Sequence, residues 1–181
     1  MEKMVLRIFQ KEIERQCKFA IIAIGQVKTI IAIEQVKTGS SNNNSDIVWY
    51  AIQNFLVAVG NISKIFWPTR NKERGEELRR SLGIEDNSPI QPRNFRNHFE
   101  HFDERLEEWA ESSERLILAD SNIGPSNMIT GIDPKDYLRN FDPTSWTLTF
   151  RGDKYELKPI IKAICELYPK VSTEASKPWW E

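Results

Sequence analysis

The sequence is poor in cysteine, histidine and glycine, and each shortage argues against a class of protein. Its 181 residues include two cysteines, two histidines and eight glycines. Cys17 and Cys165 are too few and too far apart in sequence for a disulfide framework or a cysteine-rich zinc site, which favours a reducing compartment. No glycine-rich phosphate loop, nucleophile elbow or dinucleotide fingerprint occurs, so nucleotide hydrolysis and hydride transfer are disfavoured.

Net charge and long apolar runs are also scarce. The formal net charge of -1 argues against a protein that coats nucleic acid nonspecifically. The N-terminus leads into an amphipathic pattern instead of a signal peptide. The most apolar stretch, residues 19–33, is interrupted by Gln26 and Lys28 and falls short of the roughly 20 apolar residues that span a membrane. We therefore expect a soluble cytoplasmic protein without a membrane partner.

Apolar residues recur at helical spacing through the first half of the chain. The pattern predicts a long helix over residues 5–36, a second over 47–66 that Pro68 stops, and a short surface helix over 72–82. The glycine, serines and asparagines of residues 39–45 predict a mobile loop. In the first segment the β-branched content leaves a strand open as an alternative.

The second half of the chain carries weaker patterns. Residues 147–150 and 154–157 flank Arg151-Gly152-Asp153, which predicts a small hairpin with glycine at its turn. Residues 116–118 predict a short strand or extended segment, 159–167 a final helix, and 169–181 a tail ending in two tryptophans. The predicted fold is mainly α: a helical bundle over residues 1–120, with the loop, hairpin, helix and tail of 121–181 packed on the same domain.

Both histidines fall within four residues, in the segment 93–101. Each closes an Arg-Asn-x-x-x-His spacing, one from Arg93 to His98 and the other from Arg96 to His101. An imidazole can move a proton near neutral pH, and a guanidinium can hold a phosphate in two-point contact. The pairing is compatible with RNA cleavage.

The motif is predicted to lie on one helix with a buried face. An uninterrupted apolar seam follows spacings of 4, 3, 4 and 3 and consists of Phe95, Phe99, Phe102, Leu106 and Trp109. At about 100° per residue, Asn97, Glu100 and His101 lie opposite this seam, together with Arg93. His98 borders the seam and is expected to be half-buried.

These positions favour Arg96, Asn97 and His101 as the catalytic residues. Arg93, His98 and Glu100 are their neighbours, with substrate-binding or charge-tuning roles. Arg96 and His101 point about 140° apart on a straight helix, so one chain does not easily bring both to a single phosphate. A two-fold dimer with facing motif helices would line one cleft with two arginines and two histidines.

The segment Arg96-Asn97-His98-Phe99-Glu100-His101 resembles the Arg-x(4–6)-His signature of HEPN domains, in which Asn, Asp or His often follows the arginine. The long helices before and around the motif look like the all-α HEPN fold, over roughly residues 1–120. The resemblance implies a dimeric, metal-independent endoribonuclease of a toxin–antitoxin or antiviral system. It also implies that His101 takes the ribose 2′-hydroxyl proton, that Arg96 offsets charge on the phosphate, and that Asn97 orients the histidine or contacts the phosphate.

Structural and noncatalytic roles remain open for the same residues. Arg96 and Glu100 could form an ordinary helix-surface ion pair, and the domain could be a noncatalytic HEPN-like interaction module. A metal site on His98 and His101 has one-turn spacing but lacks further ligands in a recognised pattern, so we expect neither a metal nor another cofactor. The acidic stretch 100–114 favours either a solvated face or a basic partner such as an antitoxin.

Overall fold

The computed structural model describes residues 1–36, 44–112, 117–125, 127–128 and 130–180, without the side chains of Gln35, Val36, Phe95, Arg96 and Pro134. The described chain is mainly helical, with a small four-stranded mixed sheet in its C-terminal half. The helices are α1 (Lys3–Val36), α2 (Ser45–Phe66), α3 (Lys72–Leu82), α4 (Asn94–Glu100), α5 (Phe102–Ser112) and α6 (Leu157–Ser176). The strands are β1 (Asn122–Ile123), β2 (Arg139–Asp142), β3 (Thr147–Phe150) and β4 (Asp153–Glu156).

The chain divides into two compact units. The first combines residues 1–26, 51–93 and 159–181, and the second combines 27–50 and 94–158. The first unit contains α3 and most of α6. The second contains α4, α5 and the sheet, so it carries almost all of the histidine motif.

The first helix confirms the helical interpretation of its segment and disposes of the strand alternative. Ile13, Cys17, Ala20, Ile24 and Val27 are buried along one side of α1 at helical spacing. By length and composition alone, Lys3–Glu34 is apolar enough to cross a membrane, and 33% of its most apolar window is buried. This finding differs from the sequence-based expectation that the apolar stretch 19–33 falls short of a membrane span. The expected absence of a membrane partner stays a prediction.

The next two helices also confirm their predictions. The α2 helix buries Val48, Ile52, Phe55, Val59 and Ile62 on one broad face. The α3 helix ends at Gly83, whose φ of 61° is the left-handed conformation that favours glycine at a helix C-terminus. Most of the predicted loop before α2 lies outside the described residues.

The predicted hairpin is present and belongs to a larger sheet. The strands follow the order β1-β2-β3-β4; β1 is parallel to β2 and the other neighbours are antiparallel. Phe150 pairs with Asp153, so Arg151 (φ 46°) and Gly152 (φ 92°) form a two-residue turn with both φ angles positive. The fully buried Phe141, Leu148 and Phe150 form the core of this sheet.

One expectation for the second half was wrong, and another was left with one of its two alternatives. The last helix does not end near Leu167 but continues through Pro169 to Ser176, because Val171 and Ala175 extend its buried side beyond the proline. That burial outweighs the loss of one backbone hydrogen bond at Pro169. For residues 116–118 the strand alternative fails, because Ile117 and Leu118 form no strand and the first β-bridge of the described chain joins Ala119 to Tyr137. Leu116 lies outside the described residues.

Candidate functional site

The motif lies on two short helices instead of one. The α4 helix ends at Glu100 and α5 begins at Phe102. The His101 N–H donates to the Asn97 carbonyl at 3.0 Å and the Arg105 N–H donates to the His101 carbonyl at 3.1 Å, so helical hydrogen bonding passes through the junction. The motif is therefore held in a hydrogen-bonded bend at His101.

The apolar seam is correspondingly incomplete. Phe99 and Phe102 stack with ring centroids 6.3 Å apart, and the buried Trp109 donates its Nε1–H to the Asp136 carbonyl at 3.0 Å. Leu106, by contrast, is exposed. The exposure of Leu106 therefore interrupts the seam that spacing predicted. The Phe95 side chain lies outside the described residues.

His98 is half-buried, as predicted, and its partners come from the hairpin. Its ring stacks on Phe150 at 4.4 Å between centroids and 10° between planes, and its Nε2 lies 2.9 Å from the Tyr155 hydroxyl. Burial lowers the pKa of His98, and the positive charge of Arg105 lowers it further. The neutral imidazole is thus the favoured form at pH 7, where it can accept a proton.

His101 has a different environment. Its side chain is exposed, and its Nδ1 lies 3.7 Å from a carboxylate oxygen of Glu104. Asn97 and Glu100 are also exposed on the same bend. The two side chains of His101 and Glu104 are too far apart for a hydrogen bond, and the imidazole is accessible from solvent.

The structure shows less about the two predicted arginines than about the two histidines. Arg93 belongs to the first unit, where its Nη2 donates weakly to the Trp67 carbonyl at 3.5 Å. The Arg96 backbone lies within α4, but its side chain is outside the described residues. Asn97 and His101 are therefore the members of the predicted catalytic set whose side chains are described.

A cleft of about 230 Å³ opens beside His98 and was not anticipated. It is lined by His98, Arg105, Glu108, Lys135, Arg151 and Asp153, together with the ring of Phe150. We call it the His98 cleft. Its residues come from α4, α5, the segment before β2 and the hairpin, so only the folded second unit brings them together.

Glu108 connects the two arginines of this cleft. Arg105 Nη1 donates to both of its carboxylate oxygens at 2.6 and 2.7 Å, and Arg151 Nη1 donates to one of them at 2.6 Å. The hydrogen bond from Arg105 is the main cause that lowers the pKa of Glu108. The carboxylate thus stays charged and holds both guanidiniums in place.

Metal chemistry gains no support within the described residues. In that part of the chain no group of three or more histidine, cysteine, aspartate or glutamate side chains is arranged to hold a metal ion. A proton-transfer site built from imidazole, guanidinium and amide groups needs none.

The sequence carried a signal for one of the missed residues. Arg151 stands at the turn of the predicted hairpin, where Asn, Asp or Gly is the usual choice. The cations Arg105 and Lys135 and the hydroxyl of Tyr155 gave no comparable signal, because long-range packing alone unites them. Comparisons with protein-family models, with curated proteins and with solved structures found no match to this chain.

Proposed function

We propose that this protein is a metal-independent endoribonuclease whose site forms between two copies of the chain. The observation that carries the proposal is His101 itself: an exposed imidazole at a helix bend, with Glu104 beside Nδ1 and the exposed Asn97 one turn earlier. A histidine in this setting is suited to general-base work near neutral pH.

The proposed reaction is transesterification. His101 takes the proton of a ribose 2′-hydroxyl, and the 2′-oxygen attacks the adjacent phosphorus. The bond from phosphorus to the 5′-oxygen breaks, and that oxygen takes up a proton from a water molecule. The products are a 2′,3′-cyclic phosphate and a 5′-hydroxyl, and DNA is not a substrate because it lacks the 2′-hydroxyl.

Other motif residues would stabilise the reacting phosphate. Arg96 offsets the negative charge that develops on its oxygens, and Asn97 orients the imidazole or contacts the phosphate. Glu100 is exposed on the same bend and tunes the local charge, as Arg93 does just before α4. A dimer is part of the proposal because Arg96 and His101 would point about 140° apart on a single straight helix.

The HEPN resemblance and the mainly helical fold support the same proposal. A HEPN-like helical bundle over roughly residues 1–120 would carry the motif, as the resemblance implies. In a cell, the protein would act in the cytoplasm as the toxin or effector of a toxin–antitoxin or antiviral system. The acidic α5, with Glu104, Glu107 and Glu111 exposed, would suit a basic antitoxin.

The second candidate is a noncatalytic HEPN-like interaction module. The exposed apolar side chains on α1, which include Ile8 and Ile22, favour it, because apolar surface of this kind is typical of contacts with a partner. Catalysis requires the side chains of the motif, whereas partner binding through α1 does not. One experiment on motif variants therefore separates the two candidates.

The test is RNA cleavage in the presence of EDTA. Purified wild type, His101→Ala and Arg96→Ala are compared on mixed RNA, with Glu107→Ala as a matched control for the loss of an exposed α5 side chain. The proposal expects both motif variants to lose cleavage by about 100-fold or more while they remain dimeric, and Glu107→Ala to retain it. Inactive wild-type protein at high concentration, or cleavage that survives both motif substitutions, would favour the interaction module.

A further inference from the structure

The His98 cleft has the chemistry of an anion site. Three of its lining side chains are cations (Arg105, Lys135 and Arg151) and two are carboxylates (Glu108 and Asp153). One positive charge is therefore in excess while His98 is neutral. The cleft is smaller than the roughly 300–1,000 Å³ pockets that enclose whole small molecules, so it suits one charged group of a ligand.

The two arginines keep donors that Glu108 does not use. A guanidinium has five N–H donors, and Glu108 receives hydrogen bonds from one nitrogen of each arginine. Arg105 Nε is shielded from solvent and has no acceptor within the described residues. A ligand oxygen in the cleft would supply an acceptor for the terminal guanidinium donors of the two arginines, since Arg105 Nε itself is shielded, and planar guanidinium forks match phosphate oxygens well.

Arg151 occupies a backbone position that is costly for arginine. Its φ of 46° lies in the left-handed region, where a residue other than glycine costs about 1–2 kcal/mol. The segment just before β2 holds it there, because its N–H donates to the carbonyls of Tyr137 and Leu138 at 3.2 and 3.1 Å. The turn thus keeps a cation at the cleft where asparagine or glycine would form the turn more easily.

We propose that the His98 cleft binds a phosphate group, supplied either by the backbone of RNA or by a free nucleotide. The guanidiniums of Arg105 and Arg151 and the ammonium of Lys135 hold the phosphate oxygens, and His98 donates or accepts a hydrogen bond beside them. Binding here does not require that the protein cleave RNA. If it does, the cleft holds a phosphate other than the one at which His101 acts.

The experiment uses the fact that the chain has two histidines. Their imidazole C–H signals are assigned with His98→Gln and titrated with pH by NMR, alone and with inorganic phosphate, a nucleoside monophosphate or a 2′-O-methyl oligoribonucleotide that cannot be cleaved. A phosphate beside His98 favours its charged form, so we expect its pKa to rise by about one unit. Arg151→Gln and Lys135→Gln should weaken this response, whereas Lys154→Gln, which removes a charge from the same hairpin outside the cleft, should not.

The arms of the experiment distinguish the two sources of phosphate. Tighter binding of the oligonucleotide than of the nucleotide assigns the cleft to RNA, and the reverse order assigns it to a nucleotide. No response of His98 to any of the three anions, or a response that Lys154→Gln removes as strongly as Lys135→Gln, would overturn the proposal. Because the oligonucleotide is not cleaved, an inactive ribonuclease motif leaves this result unchanged.

A second observation concerns an apolar row on the exposed side of α1. Met4, Ile8, Phe19 and Ile22 are each between 49% and 58% exposed. At about 100° per residue they lie within roughly 60° of one another, along about 27 Å of helix. The row consists of an apolar pair at each end with Lys11 and Arg15 exposed between them, and the two apolar ends are the parts suited to contact with another apolar surface.

The row on one copy of the chain can pair with the same row on a second copy that runs in the opposite direction. If a second copy lies antiparallel, Met4 faces Ile22 and Ile8 faces Phe19, each of them twice. At the centre, the residue numbers of facing positions add up to 26 or 27, so Arg15 of each copy faces both Glu12 and Lys11 of the other. Within one chain Arg15 already contacts Glu12 at 2.6 Å, and across the two-fold axis this carboxylate offsets the repulsion between Arg15 and Lys11, so the matching apolar ends carry the pairing.

The C-terminal tryptophans lie beside one end of this row. Lys11 Nζ lies 4.3 Å from the centroid of the Trp179 ring, and Lys3 Nζ donates to the Trp180 carbonyl at 3.2 Å. Both indoles are exposed. In an antiparallel pair they would lie against the second half of the partner's α1, where Ile21 is also exposed.

We also propose that two copies of this chain pair antiparallel along the apolar row. The molar mass of the purified protein, measured by light scattering, should be that of a dimer. Ile22→Glu should yield monomers, whereas Val57→Glu, at an α2 position with a similar exposure of 53%, should remain dimeric. In a Cys165→Ser background, oxidation should link Ile8→Cys with Phe19→Cys in a mixture and should not link either variant with itself.

Three outcomes would overturn this pairing. They are a monomeric wild type, dimers that persist in Ile22→Glu, and binding of the row to phosphatidylcholine vesicles by a protein that is monomeric without them. A dimer formed through another face would refute this interface and leave the proposed ribonuclease untouched, because the RNA assay tests that separately.

Discussion

Two glycines on helices allow a sharp test of the packing of the first unit. Gly75 is buried in α3, and a methyl group there would lie 2.5 Å from both the Phe66 carbonyl oxygen and Pro68 Cδ. Gly25 lies in α1, and a methyl group there would meet nothing within 4 Å. The same substitution, glycine to alanine, should therefore have opposite effects at the two positions.

The magnitudes follow from these surroundings. A backbone carbonyl and a proline ring cannot rotate away, so overpacking at Gly75 should cost about 3 kcal/mol, the upper end of the usual range. The higher helix propensity of alanine than of glycine offsets about 1 kcal/mol of this cost. Gly75→Ala is therefore expected to be destabilised by about 2 kcal/mol. Gly25→Ala keeps only the propensity gain of about 0.5–1 kcal/mol.

The assay is urea unfolding followed by tryptophan fluorescence, with thermal unfolding beside it. For a chain of this length, Gly75→Ala should lower the melting temperature by about 4–8 °C and Gly25→Ala should raise it by about 1–4 °C. Equal shifts in both variants, or a stabilised Gly75→Ala with an unchanged urea dependence, would refute the close packing of α3 on the Phe66–Pro68 segment.

Three further predictions concern the helices and the hairpin. Pro169→Ala should raise the free energy of unfolding by about 1–3 kcal/mol in urea, because it restores a backbone hydrogen bond inside α6; a loss of stability would contradict this. Gly152→Ala should lower it by about 1–2 kcal/mol, since a φ of 92° is strained for alanine, and an unchanged urea midpoint would count against the turn. The folded pKa of His98 lies below the unfolded value of about 6.5, so its contribution to stability is fully present above that pH and declines as pH falls towards the folded pKa. His98→Gln should flatten this part of the stability profile, and identical wild-type and variant profiles would exclude it.

Local patterns predicted the elements whose signals are local. The end of α3 at Gly83 and the turn at Arg151-Gly152 follow from backbone chemistry within a few residues. The half-burial of His98 followed from its place at the border of an apolar face. These features need little information from distant parts of the chain.

Distant contacts decided the features that the sequence did not reveal. Pro169 would normally end a helix, but Val171 and Ala175 are buried beyond it, and that burial prevails. The cleft beside His98 depends on Arg105 and Arg151, which are 46 residues apart and meet through Glu108. No periodicity along the chain encodes such a meeting, which is why the sequence directed attention to His101 and away from the cleft.

The most direct measurement of the proposed composite site mixes two inactive variants. Arg96→Ala and His101→Ala are unfolded together, refolded and assayed on RNA in EDTA, each alone and as an equimolar mixture. If the site takes its arginine from one chain and its histidine from the other, half of the dimers are mixed and each has one intact site, so the mixture should recover about a quarter of wild-type activity. A mixture as inactive as its components, with mixed dimers demonstrated by mass, would contradict a site shared between two chains.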